Sequence, residues 1–255
     1  MVVLGSGSSG NCTLVEGCGG RVLIDCGLSA REAARRLQSV GCSPRSVDAV
    51  IVSHEHADHV GGAPGFSRRF GAPILTTPAT AAAAGIEGAG VAALVPIEAG
   101  VGFTVADMKV TPFSVPHDAV DNIGLVVECD GTRLGYATDL GHATALVKGR
   151  LRECDVIVAE ANHDTTMLMN GPYPWSVKHR IMSRHGHLSN DAMEALVSEV
   201  ATARTRHLVL AHMSRTNNRA ELARAACRRG LETAQVSRAE ISLAGQDQVC
   251  EVIQG

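Results

Sequence analysis

The alternation of apolar and polar positions divides the chain into short strands and amphipathic helices. The first apolar runs are separated by glycine-rich turns, which is typical of small antiparallel strands. These predicted strands lie at residues 2–4, 12–16 and 21–25. Ser29 and Glu32 then form a capping-box pattern, and apolar residues recur at helical spacing behind them. We therefore predict a helix from about Ala30 to Val40.

The later apolar runs predict more strands, with helices between them. The predicted strands lie at residues 48–53, 73–76, 108–116, 123–129, 133–138, 155–160 and 207–212. A further helix begins at Pro78 behind the cap Thr77, and others lie near residues 175–184, 191–201 and 219–229. Strands in two groups with interleaved helices fit an α/β fold of two mixed sheets packed face to face, with helices on the outer faces.

Length and composition are those of a globular protein. At 255 residues, with 45% hydrophobic and 19% charged residues, the chain fits a single domain over 1–255. The net charge of −3 neither requires nor excludes a nucleic-acid partner. The first residues lack a basic stretch and a long apolar run, so we expect no signal peptide, no membrane anchor and a cytoplasmic location. The eight cysteines are scattered without a CxxC pair, and we expect reduced thiols.

The segment Gly5–Gly10 matches the glycine pattern of dinucleotide-binding loops. Such a loop must open a helix that holds the pyrophosphate, yet the residues that follow have the pattern of a strand. We therefore expect no dinucleotide cofactor. Two interpretations stay open, a tight turn between strands or a backbone nest that contacts a phosphate. The second would make Ser8 and Asn11 substrate contacts.

Three histidines and an aspartate crowd together directly after a buried strand, in the run HEHADH. Side chains two positions apart in an extended segment project the same way, so His54 and His56 can bind one metal ion together. Asp58 and His59 then face a second ion. Two ions roughly 3.5 to 4 Å apart can clamp the attacking and leaving oxygens and make a bridging water acidic. The alternative, a solvated polar loop, requires this crowding to be accidental.

Three later strands also end in residues of ligand type. We assign His117 to the first ion, Asp139 as a carboxylate bridge and His212 to the second ion. Any one of them alone would be a polar residue at the edge of the core, but three in succession favour a metal cage. Asp25 is expected to orient the histidine loop by hydrogen bonding. The remaining histidines are expected to be structural or on the surface, with His163 the first candidate for an exception.

At this point the sequence resembles a known superfamily. HEHADH is similar to the signature of the metallo-β-lactamase superfamily, and the later ligands fall where that superfamily has them. Further segments resemble the YycJ/WalJ family, in the same order along nearly the whole chain. They are Gly5–Asn11, His117–Ala119, Thr138–Gly141, Glu160–Asp164, Gly171–Trp175, Gly186–Asn190 and Asn217–Asn218. Asn122 stands where the resemblance leads us to expect proline. The resemblance implies a four-layer αββα sandwich.

The resemblance also implies a function, hydrolysis of DNA by a 5′-to-3′ exonuclease that is related to tRNase Z. It implies that His187 donates a proton to the leaving oxygen and that Glu160 fixes and charges that imidazole. Asp58 would guide the proton off the attacking water, which two divalent ions activate. Zinc is the first expectation for these ions, while manganese and iron suit the same ligands.

Other assignments stay open at the level of the sequence. Trp175, Lys178 and Arg180 follow a proline-rich turn and would place an aromatic ring and two cations beside a phosphate backbone. The alternative for the two cations is the solvated face of an amphipathic helix. The rival function is hydrolysis of a small acyl substrate such as a β-lactam, lactone or thioester, which has less need of Glu160 and His187. A diiron redox protein is disfavoured because that branch has glutamate where this chain has His56.

Overall fold

The computed structural model of the protein describes residues 1–236 and 238–254. The first sheet is built from the amino-terminal apolar runs. Its strands are β1 (Val2–Gly5), β2 (Cys12–Gly17), β3 (Gly20–Ile24), β4 (Ala49–Ile51), β5 (Ile74–Thr76) and β6 (Leu94–Pro96). They lie side by side in chain order, antiparallel from β1 to β3 and parallel from β3 to β6. The loop over Gly5–Gly10 therefore joins two antiparallel strands, and the strand predicted after it is confirmed.

The second sheet takes up the rest of the strands. They are β7 (Phe103–Val105), β8 (Met108–Ser114), β9 (Ile123–Cys129), β10 (Thr132–Ala137), β11 (Val156–Glu160), β12 (His207–Ala211) and β13 (Glu240–Leu243). These strands also lie side by side in chain order, from β7 at one edge of the sheet to β13 at the other. The strands are antiparallel from β7 to β10 and parallel from β10 to β13, so each sheet is mixed.

Helices connect the parallel strands. They are α1 (Ala30–Ser39), α2 (Ala57–Val60), α3 (Ala63–Phe70), α4 (Pro78–Ala83), α5 (Ala145–Leu151), α6 (Thr165–Asn170), α7 (Trp175–Ile181), α8 (Asn190–Val200) and α9 (Ala220–Thr233), with a 3₁₀ turn at Pro44–Ser46. The predicted caps Ser29 and Thr77 both accept a backbone N–H of their helix. The carboxylate of Glu32, however, accepts from Arg35 and Arg36.

The alternation of side chains along the strands produces four layers. In β11, Val156 and Val158 pack between the two sheets, while Ile157 and Ala159 pack against the helices on the outer side. A third apolar cluster fills the space between the first sheet and the helices α1 and α3. Each large apolar side chain that is fully buried contributes roughly 1.5 to 3 kcal/mol. The fold is therefore the predicted αββα sandwich.

The sequence pattern missed three edge strands and four short helices. The strands β6, β7 and β13 lie at the sheet edges and carry half-exposed or exposed residues, so their alternation is weak. The helices α2, α3, α5 and α6 are too short for a clear helical periodicity, and α2 lies within the HEHADH run, where the sequence predicts an extended segment. None of the helices that the structure describes combines the length and the apolar run that a bilayer span requires.

One expectation about the cysteines is wrong. Cys18 and Cys129 form a disulfide, with 6.0 Å between their Cα atoms. The bond joins the turn between β2 and β3 to the end of β9, and so connects the two sheets. The two residues lie 111 positions apart, so nothing in the local sequence indicates that they meet. The other six cysteines have free thiols, as expected.

Candidate metal centre

The predicted ligands meet at one edge of the sandwich because the strands that precede them end there. The HEHADH run follows β4, Asp139 lies two positions after the end of β10, and His212 follows β12 directly. Asp25, Asp139 and His212 all have left-handed backbone conformations, with φ values of 59°, 53° and 53°. Such a conformation costs about 1 kcal/mol or more for a residue other than glycine. Three instances around one cavity indicate that the fold maintains this geometry against local preference.

The first group of ligand atoms belongs to His54, His56 and His117, whose donor atoms lie within 4.8 Å of one another. Nδ1 of His117 donates to the carbonyl oxygen of Gly186 at 3.0 Å. Nδ1 of His54 donates to Oγ of Ser53, also at 3.0 Å. These bonds fix the tautomer, so His54 and His117 keep the lone pair of Nε2 for the cavity.

The second group belongs to Asp58, His59 and His212, again within 4.8 Å. Asp139 contacts both groups. Its Oδ2 lies 2.9 Å from Nε2 of His59, and its Oδ1 lies 3.7 Å from Nε2 of His117 and 3.6 Å from Nε2 of His212. The structure thus brings all seven predicted ligands together and places Asp139 in contact with both groups.

Asp25 lies behind the second group, fully buried. Its Oδ2 accepts a hydrogen bond from Nδ1 of His59 at 2.8 Å. Ser53 holds the carboxylate in turn, because its backbone N–H donates to Oδ1 at 2.8 Å and its hydroxyl donates to Oδ2 at 3.0 Å. This is the position that the predicted orienting role requires, and Ser53 is a contributor that the sequence did not indicate.

The donor set fits divalent metal ions. Among the described residues, the buried side-chain atoms without a hydrogen-bond partner include Nε2 of His54 and Nε2 of His117. Each such atom costs about 1 to 3 kcal/mol if it stays unpaired. Imidazole nitrogens and carboxylate oxygens that converge in a buried space are the ligands of zinc, manganese and iron. A bound cation would satisfy both nitrogens at once.

The electrostatics of the cavity also favour positive charge. Burial opposes the charged form of His59, but Asp139 and Asp25 outweigh burial and raise its pKa to about 10. Burial likewise opposes the charged form of His212, and Asp139, Asp58 and Glu160 raise its pKa well above the ordinary value. By contrast, burial and the surrounding histidines lower the pKa of His54 and keep that imidazole neutral, as a metal ligand must be.

Glu160 and His187 lie against this cage. Oε1 of Glu160 is 2.7 Å from Nδ1 of His187 and 3.2 Å from Nδ1 of His212. Its Oε2 accepts from the backbone N–H groups of Leu140 and Leu188. The rings of His187 and His212 are stacked, with centroids 5.2 Å apart. The contact between Glu160 and a predicted metal ligand is a feature that sequence reasoning missed.

The glycine-rich loop is a closed turn and not an open nest. The N–H groups of Gly7, Ser9 and Gly10 already donate to acceptors within the protein. Asn11 is buried, and its Nδ2 lies 2.9 Å from Nε2 of His59 and 3.4 Å from Oδ2 of Asp58. Asn11 therefore supports the ligand loop, where a substrate contact was expected, whereas Ser8 is exposed at the tip of the turn.

The two cations of α7 differ in their surroundings. Lys178 is buried, and its ammonium donates to the carbonyl oxygen of Met169 at 2.7 Å, at the end of α6. The structure thus gives it an internal partner in place of the predicted phosphate. Arg180 is exposed at the rim of the centre, where it pairs with Asp118, the residue after His117.

Two further residues shape the centre without being indicated by the sequence. The amide of Asn122 donates to the backbone oxygen of Asp139 at 2.9 Å, so this departure from the expected proline holds a ligand strand. Gly27 packs beneath the ligand loop, where an added Cβ would lie 1.7 Å from the carbonyl oxygen of Asp58. Only glycine allows this close approach.

Comparison with known proteins gives consistent results. A family model described as the β-lactamase superfamily domain matches residues 20–213. The chain is 33% identical over 236 residues to the exodeoxyribonuclease YycJ of Bacillus anthracis, in an alignment that covers 90% of this chain and 88% of YycJ. It is 33% identical over 228 residues to the exodeoxyribonuclease WalJ of Streptococcus pneumoniae, in an alignment that covers 87% of this chain and 84% of WalJ. The solved structure of YhfI from Bacillus subtilis, a metallo-β-lactamase fold protein, matches with a TM-score of 0.72 at 15% identity, covering 97% of both chains.

Proposed function

The chain belongs to the metallo-β-lactamase superfamily and, within it, to the family of YycJ and WalJ, and from this membership we propose that it removes nucleotides from DNA in the 5′-to-3′ direction. It is a metal-dependent hydrolase, and the proposal adds its substrate and its polarity. The observation that carries the proposal is the Glu160–His187 pair beside the seven ligand residues. We also propose that these seven residues hold two divalent ions.

Hydrolysis of a phosphodiester needs a nucleophile, neutralisation of charge on phosphorus and a proton for the departing oxygen. Bound divalent ions supply an acidified water and Lewis acidity toward the phosphate. The chain itself must supply the proton. A departing alkoxide is a poor leaving group without one, so a phosphodiesterase benefits from a general acid next to its metals.

His187 has the properties of that general acid. Nδ1 is occupied by Glu160, which leaves Nε2 as the atom that can give a proton to substrate. Burial opposes the charged imidazolium, but the carboxylate of Glu160 outweighs burial and raises the pKa of His187. The imidazole is therefore held in one tautomer, and its protonated form is favoured. Its side chain is 20% exposed, so the ring is accessible from the mouth of the cavity.

Asp58 is proposed to receive the proton of the attacking water. Burial opposes its ionisation, but the hydrogen bond from His212 and the charge of His59 lower its pKa, so it remains a carboxylate. It is partly exposed, unlike the buried Asp139. An ionised, accessible carboxylate within the ligand groups can orient a water and accept its proton.

The test is an assay with DNA labelled at one end or at the other, with zinc or manganese supplied. We expect mononucleotides to be released stepwise from the 5′ end. Matched RNA, a chromogenic β-lactam and a thioester serve as competing substrates. Hydrolysis of an acyl substrate without release of nucleotides would refute the proposed function, and release from the 3′ end would refute the polarity.

A further inference from the structure

Helix α7 exposes its apolar side chains and buries its lysine. Trp175 and Val177 are 61% and 39% exposed, and Met182, the first residue after the helix, is 37% exposed. Lys178, by contrast, is only 9% exposed. An ordinary surface helix has the opposite arrangement, with its apolar stripe toward the core. Met169, at the end of α6, is also exposed, and its carbonyl oxygen binds Lys178. Trp175 and Met182, seven positions apart, lie on the same face of the helix, whereas Val177 lies on another. The exposed ring of Trp175 is therefore the feature that indicates a contact with a ligand.

The carboxyl end of this helix adjoins the metal centre. The backbone N–H of His187 donates to the carbonyl oxygen of Ile181, the last residue of α7. In the same loop the carbonyl oxygen of Gly186 accepts from Nδ1 of His117. The end of α7 therefore adjoins the ligands and the proposed general acid. Trp175 begins the helix, about 9 Å further along its axis at 1.5 Å per residue.

The sequence around Trp175 carries an excess of basic residues. Residues 165–190 contain three Lys or Arg residues and no Asp or Glu. Of these three, Lys178 is buried and is not available to a ligand, whereas Arg184 is exposed and Arg180 is 65% exposed although it pairs with Asp118. Exposed arginines beside a metal centre can attract a polyanion.

An exposed aromatic ring among cations, next to a site that cleaves phosphodiesters, matches single-stranded nucleic acid. Unpaired bases stack on aromatic side chains while the backbone follows the positive charge, without dependence on sequence. In a duplex the base faces are already stacked and are not available. Given the proposed function, on which this inference depends, we propose that Trp175 stacks on an unpaired base of the DNA strand whose phosphate lies at the metals. The preferred substrate is therefore a single-stranded or frayed end.

The chain offers a direct probe, because Trp175 is its only tryptophan. The metal-loaded His187→Ala variant, in which cleavage is slowed, is titrated with a single-stranded oligothymidylate and with a closed hairpin duplex while tryptophan fluorescence is recorded. We expect saturable quenching by the single strand and little by the duplex. Equal quenching by both would overturn the preference for unpaired bases.

Kinetics with otherwise wild-type protein give the second measurement. Removal of one stacked base contact by Trp175→Ala is expected to raise the KM for single-stranded DNA roughly 5- to 150-fold. Trp175→Phe should retain most of the affinity. Val252→Ala is the control, since Val252 is exposed but lies on the carboxyl-terminal tail. Turnover of bis(p-nitrophenyl) phosphate, which lacks nucleobases, should be the same in all four proteins.

The outcomes separate this inference from the proposed function. An unchanged KM in Trp175→Ala, with DNA still cleaved, overturns the inference and leaves the proposed function standing. Hydrolysis of the nitrophenyl diester without any cleavage of DNA refutes the proposed function itself. A fluorescence signal that changes with protein concentration and not with DNA would assign the surface to a second copy of the chain and overturn the inference.

Discussion

Replacement of His187 by alanine tests the proposed chemistry most directly. A 2.7 Å hydrogen bond from Nδ1 to Glu160 fixes the orientation of the ring. The proton on Nε2, which would be donated, is therefore already positioned before substrate arrives. General acid catalysis contributes roughly 10²- to 10⁴-fold to turnover. At about 1.36 kcal/mol for each factor of ten, this corresponds to about 2.7 to 5.4 kcal/mol of the activation free energy. The two ligand groups do not include His187, so the metal content should be retained.

Two substrates distinguish a proton donor from a structural residue. When a phosphodiester of DNA is cleaved, the leaving group is a sugar alkoxide, which needs a proton. The leaving group of a nitrophenyl diester is p-nitrophenolate, which is stable enough to depart without one. We expect kcat for DNA to fall by the full factor in His187→Ala and kcat for the nitrophenyl diester to change little. His185→Ala is the matched control, because His185 is exposed two positions earlier. Equal losses on both substrates, or unchanged turnover of DNA, would refute the role of His187 as general acid.

Three further predictions concern metal binding and stability. In a chelator titration, Asp25→Asn should weaken metal binding roughly 10- to 100-fold, because His59 loses its carboxylate partner. The control Asp130→Asn changes an exposed aspartate and should leave metal binding unchanged. The Cys18→Ser/Cys129→Ser variant should lose roughly 2 to 4 kcal/mol of unfolding free energy, and its Tm should no longer respond to dithiothreitol, to which wild type responds. Arg35 and Arg36 lower the pKa of Glu32 from 4.5 to about 2. These ion pairs therefore stabilise the fold above about pH 4.5. The Tm difference between wild type and Glu32→Gln should shrink as the pH falls from 4.5 toward about 2. A Tm difference that does not change with pH would contradict the ion-pair explanation.

Much of the site can be predicted from the sequence because strands with strong apolar patterns deliver its residues. The run from His54 to His59, together with Asp139 and His212, follows strands whose buried residues are clear in the sequence. Parallel strands end at a common edge, so residues after their carboxyl ends must approach one another. The αββα arrangement follows from the continuous apolar runs of central strands such as β4 and β11, since a strand that is apolar on both faces must be covered on both.

Residues whose role depends on a distant partner could not be predicted in this way. Glu160 has the pattern of the last residue of a buried strand, and only the family resemblance connected it with His187. Lys178 has the pattern of a solvated cation, yet the end of α6 lies within reach of its ammonium. Asn11 lies 47 residues from Asp58 in sequence, and only folding places its amide against that loop. In each case the deciding contact is made by a residue that belongs to another element of the fold.

The two groups of ligands are supported by different chemistry, and this explains why Glu160 is central. Neutral acceptors hold His54 and His117 from behind, whereas carboxylates hold His59 and His212. A carboxylate that accepts a hydrogen bond from an imidazole makes that imidazole a stronger electron-pair donor to a metal ion. The histidines of the second group are therefore the more basic ones. Glu160 also binds His187 through the same oxygen, Oε1. If His212 binds a metal ion and His187 donates the proton, as we propose, one anion supports both roles, and we expect metal binding and proton donation to be coupled through a single buried side chain.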